Sequence, residues 1–106
     1  MIIDQTHGSA ERMNTSGAQE QTNQTADRLV LEVVAAVDDG YTGVPECQRL
    51  IAWLGADFLP SLAGRFPQPP ADLLELHEVL DDMHGSSGQQ AAQLSLRARS
   101  LVFRLL

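Results

Sequence analysis

The sequence predicts an all-α fold, a small bundle of about four short helices arranged as two αα-hairpins behind a disordered N-terminal head. Three observations lead there. From Asp4 to Arg28 there is no Val, Ile, Leu, Phe, Trp, Tyr or Cys, whereas 39 of the 78 residues from Leu29 to Leu106 are apolar. Within that body the apolar residues recur every three or four positions, the period of a helix face rather than of a half-buried strand. The stretches are separated by Gly, Pro and Ser, which end helices and build turns.

Residues 1–24 form the polar head. Rich in Gln, Thr, Ser, Asn and Gly, they bury too little apolar surface to offset a backbone ordering cost of roughly 1–2 kcal/mol per residue. The head reads as a solubilising tail, a docking arm that folds on a partner, or an export signal. Residues 25–106 form the bundle domain.

Thr25 is positioned as the N-cap of a first helix running to Asp39. Val30, Val33, Val34 and Val37 make its stripe, with Leu29, Leu31, Ala35 and Ala36 beside it. A helix so apolar on every side is expected to be the most buried of the four. Gly40 suits the residue just past its end.

Pro45 then fits the first turn of a second helix, with Glu46 favoured beside the positive end of the helix dipole. Cys47, Leu50, Ile51, Leu54 and Phe58 share one face. Pro60 is expected to end or kink this helix near Leu59. Leu62 and Phe66 continue the face before the stiff connector Pro67-Gln68-Pro69-Pro70.

A third helix is expected over Ala71–His84. Asp72 and Glu75 have capping-box spacing, and Leu73, Leu76, Leu80 and Met83 form the core stripe. Gly85-Ser86-Ser87-Gly88 closes it. The fourth helix runs from Gln89 to the C-terminus. Ala91, Leu94, Ala98, Leu101 and Leu105 form its inner stripe, and Gln90, Gln93, Arg97, Ser100 and Arg104 its polar one. A surplus apolar flank remains, made of Ala92, Leu96, Phe103 and Leu106 and broken only by Arg99. Five acids and no Arg lie between Asp72 and Asp82, while only arginines follow. Antiparallel packing would make these charges attract across the hairpin.

Charge and composition narrow the function classes. The net charge of −7, with fourteen acids, seven arginines and no lysine, disfavours nucleic-acid binding, which needs a cationic field to neutralise phosphates. It equally disfavours an anionic membrane surface. The absence of lysine fits a bacterial-type genome that favours Arg, Ala and Gly codons. No run reaches the roughly 18–20 apolar residues of a bilayer-spanning helix, and Met1-Ile2-Ile3-Asp4 does not open a secretory signal peptide. A cytoplasmic location is expected, with export through a specialised secretion system as the alternative. Cys47 stands alone, so no internal disulfide can form. A body of 78 residues leaves only about 3–5 kcal/mol from a single core, which makes association a natural source of further burial.

No motif calls for catalysis or a cofactor. Phosphate-binding glycine loops, calcium loops and nucleophile elbows are all missing. Cys47 lies in the first turn of a helix, where a thiol can be activated, but it also opens an apolar face and reads as a buried structural thiol. His77, Asp81 and His84, at i, i+4 and i+7, are a weak candidate metal set. A bundle di-iron site would need a matching set on a second helix, and the other helices carry no histidine.

Trp53-Leu54-Gly55 resembles the Trp-x-Gly signature of a family of small secreted helical hairpins. Two residues carry the resemblance, which implies an exported helical hairpin. That family places the motif in the turn between two long helices, whereas here it lies inside an apolar helix face with Pro60 soon after.

The expected function is therefore non-enzymatic protein–protein interaction by a small acidic adaptor, secretion-type chaperone or immunity-like inhibitor. The partner is another protein or a second copy of the chain. Leu96, Arg99, Phe103 and Leu106 are the expected contact residues. The alternatives are an exported helical protein with its signal in the head, or a helical metal protein.

Overall fold

The computed structural model describes residues 20–106 with their side chains. The order of elements is α1 (Ile2–Asp38), α2 (Val44–Trp53), a π-helical turn (Leu54–Phe58), α3 (Leu59–Ser61), α4 (Ala71–Met83) and α5 (Gln89–Leu105). The π turn joins α2 to α3 in one continuous rod. Four helical rods thus make an all-α bundle, with no strand among the described residues. Helix α5 packs chiefly against α4 and α1, and α1 packs also against α2.

The expected disordered head lies outside the described residues as far as Gln19. From Glu20 the chain is already in α1. Thr25 does not cap a helix. Its hydroxyl donates to the carbonyl of Gln21, 2.9 Å away and one turn back, as Ser and Thr do inside helices. Gln21, Thr22 and Thr25 of α1 line one pocket together with Trp53 of α2.

Helix α1 ends as its sequence predicts. Gly40 has φ +92°, its N–H bonds Val37 O at 3.0 Å, and the N–H of Tyr41 bonds Ala36 O at 2.9 Å. These two bonds are a Schellman motif, which needs a left-handed residue at the position Gly40 fills. Gly43 is the more constrained glycine. It has φ +72°, and a Cβ there would come within 2.9 Å of Val37 Cγ2. It lets the chain reverse tightly enough for α2 to lie along α1.

Pro60 does not end the second rod at Leu59. The helix opens into a π turn, with the Leu59 N–H reaching back five residues to Leu54 O, and then continues to Ser61. Proline removes one helical hydrogen bond and crowds the carbonyl four residues back, and a widened turn just upstream relieves both. The π turn also brings Trp53 and Phe58, five residues apart, onto one side, where their rings stack with centroids 5.6 Å apart. The rest of the expected face holds: Cys47, Leu50, Leu54, Phe58 and Leu62 are buried, and Ile51 and Phe66 pack at its edge.

Asp72 and Glu75 do not form a capping box. Pro70 occupies the N-cap without a side-chain bond, and both acids reach sideways to α5. Glu75 pairs with Arg97, and Asp72 Oδ1 lies 3.6 Å from Arg104 Nη1. The acid–base division between the last two helices therefore sets their antiparallel register, as the sequence anticipates. The core runs through all four rods, from Val30 and Val33 through Leu50, Leu54 and Phe58 to Leu76, Met83 and Leu101. Ser95 and Val102, on the inner side of α5, are buried as well.

Candidate functional site

Helix α1 is not the most buried helix on every side. At about 100° per residue, Ala26, Leu29, Val30, Val33 and Ala36 point into the core. Leu31 and Ala35 point the opposite way. Leu31 is 62% exposed and sits in a shallow trough lined by Gln24, Asp27, Arg28, Leu31, Glu32 and Ala35.

Helix α5 runs beside this stretch of α1. Arg99 pairs with Asp27, and the N–H of Gly88 bonds Thr42 O at 2.7 Å. As one helix is followed forward the other runs back, so α1 and α5 are antiparallel. Counting from the Asp27–Arg99 pair, one turn forward on α1 reaches Leu31, and three residues back on α5 reaches Leu96. Both lie on the outer side. In the other direction Phe103 follows Arg99 by one turn. Leu96 is 44% exposed and Phe103 37%, and the Arg99 guanidinium carbon stands 4.9 Å above the Phe103 ring centre. A cation over an aromatic face at that distance is attracted by the ring quadrupole. Arg99 is thus held from two sides, by a carboxylate and a ring.

Of the four contact residues expected from sequence, Leu96, Arg99 and Phe103 come together on this face. Leu106 is half-buried against the core and sits at its end. Ala92, expected on the same flank, is buried. Leu31 and Ala35 join the face although the sequence reading grouped them with the core of α1. With the Val30 and Val33 side turned into the core, they are left on the side turned away from it.

The remaining candidates separate. His77, Asp81 and His84 are all exposed on or just past α4, and no group of three His, Cys, Asp or Glu among the described residues stands close enough to hold a metal ion. Cys47 is buried, and burial pushes its thiol above the ordinary 9.0, partly offset by the hydroxyls of Ser95 and Ser86. A thiol so placed stays protonated and unreactive at neutral pH. The Ser95 hydroxyl approaches that thiol but completes no hydrogen bond of ordinary geometry.

No helix among the described residues is long and apolar enough to cross a membrane. In comparisons with known proteins, no family model, no curated protein and no solved structure matches this chain.

Proposed function

We propose that the chain is a non-enzymatic protein-interaction module, a small acidic adaptor, secretion-type chaperone or immunity-like inhibitor, that engages its partner through the outer face of α1 and α5. One observation carries this reading. Leu31, Leu96 and Phe103 are exposed, and the register set by the Asp27–Arg99 pair puts them on neighbouring outward positions of α1 and α5. Grouped exposed apolar side chains with a polar border are the usual mark of an interaction surface. Here Gln24, Arg28 and Glu32 supply that border, and the clamped Arg99 adds a pre-ordered charged group of a kind enriched at binding hot spots.

The test is affinity capture from the host with wild-type protein and with Phe103→Asp. The expected outcome is a stoichiometric partner protein retained by the wild type and lost by the variant, whose helical content and thermal midpoint stay close to wild type. If Phe103→Asp unfolds the bundle, the flank is core and the reading fails.

A further inference from the structure

We infer that the occupant of this face is a second copy of the chain, related by a two-fold axis that crosses α1 at Leu31 and α5 at Leu96. The inference rests on the reading of the α1–α5 face as an interaction surface and names its partner.

The first support is the spacing of charge on α1. Gln24, Arg28, Leu31, Ala35 and Asp38 share the outward stripe, nearly symmetric about Leu31. Among the described residues, neither Arg28 nor Asp38 has an ion-pair partner, whereas Arg49 on α2 and Arg97, Arg99 and Arg104 on α5 each have one; Arg65, past α3, is the other described arginine without one. When two α1 helices pack antiparallel about Leu31, each Arg28 comes opposite Val34 of the other copy. The carboxylate of that copy's Asp38 is then four residues further along, roughly 6 Å at 1.5 Å per residue. An arginine side chain covers that span. The symmetry makes two such pairs, one on each side of a Leu31–Leu31 contact. Parallel packing would instead put Arg28 beside Arg28 and Asp38 beside Asp38.

The second support comes from α5. A two-fold axis perpendicular to α1 keeps both α5 helices on the same side of the dimer, facing each other. The Asp27–Arg99 pair sets α5 in register with α1, so the axis that passes Leu31 also passes close to Leu96. Leu31 and Leu96 of both copies therefore meet at the centre, and Phe103 lies further out on each side. An apolar centre with charge pairs toward its rim is the ordinary anatomy of a protein interface. Elsewhere the surface carries unpaired Asp39, Asp57, Glu78, Asp81 and Asp82, which would repel one another in most other pairings. The α1–α5 face is where two copies of an acidic chain can approach without that repulsion.

Sedimentation equilibrium over a range of concentrations tests this on the full-length chain. The wild type should be a dimer at micromolar concentration, and Leu31→Asp a monomer. Arg28→Glu and Asp38→Arg should each raise the dissociation constant about tenfold or more, and the double variant Arg28→Glu/Asp38→Arg should recover most of the loss. That recovery cannot come from a variant that merely fails to fold. A wild type that stays monomeric overturns the inference, as does a dimer indifferent to Leu31→Asp and to both single charge reversals. A monomeric wild type whose host partner is still lost on Phe103→Asp would leave the interaction face standing with a different occupant.

Discussion

Toward α4, helix α5 presents Arg97 and Arg104, and both find carboxylates, on Glu75 and Asp72. Toward α1 it presents Arg99, which finds Asp27, and then Leu96 and Phe103, which stay exposed. The two flanks belong to one helix of ordinary amphipathic pattern, yet one is closed by matched charge and the other left open. The contrast shows how a small bundle divides its surface. Charge pairs hold the register of a hairpin at little cost in apolar area, and they leave Leu96 and Phe103 on the opposite flank free for a further partner to cover.

The contrast breaks most readily at the core. Leu101, fully buried on the inner side of α5, should lose about 2–5 kcal/mol of stability on replacement by Ala, by lost transfer energy and the cavity left behind. Phe103→Asp, four-tenths exposed or less, should shift urea unfolding of the monomer by no more than about 1 kcal/mol. Equal losses for the two would mean that the open flank is core. A smaller effect probes the inner side through Cys47. Its thiol is raised by burial, so the folded chain holds that proton more tightly than the unfolded one. The resulting stability is present in full below the ordinary thiol value of 9.0 and is lost as the pH rises through the folded value. Thermal midpoints measured from neutral pH upward should fall above about pH 9, and Cys47→Ala should lack that decline. The smallest effect belongs to the closed flank. Arg97→Ala should cost less than about 1 kcal/mol, further reduced by salt, because the Glu75 pair is solvent-exposed. A double-mutant cycle with Glu75→Ala would measure the pair itself, and a coupling of several kcal/mol would show that this flank is more than a register device.

The elements with the clearest periodicity were the most legible. Both ends of α4 and α5 fall within a residue of where the 3-4 spacing, Pro70 and the Gly85–Gly88 turn put them. The arginine–carboxylate ladder follows from charge segregation alone. Leu96, Arg99 and Phe103 were legible as surplus on a helix that already had a full inner stripe. Leu31 was not. In a run of Leu, Val and Ala apolar on every side, periodicity does not say which side meets the core, and only the positions of α2 and α5 leave Leu31 outside. Thr25, Asp72 and Glu75 each had a sound local role as a cap, but other partners competed. Asp72 and Glu75 face arginines on α5, and Thr25 lies within a helix that began earlier.

What the sequence determined by itself is therefore local and periodic: four helical rods, their turns at Gly40, the Pro67–Pro70 connector and Gly85–Gly88, and the charge that pairs α4 with α5. Those features depend on backbone propensity, proline and glycine stereochemistry and neighbouring residues, all of which are written along the chain. The tertiary structure decided the rest. It chose which side of α1 is outside, opened the second rod into a π turn ahead of Pro60, and brought Asp27, Arg99 and Phe103 together across 72 residues. Such choices follow from how much surface each neighbouring helix covers, and that depends on contacts between segments far apart in sequence.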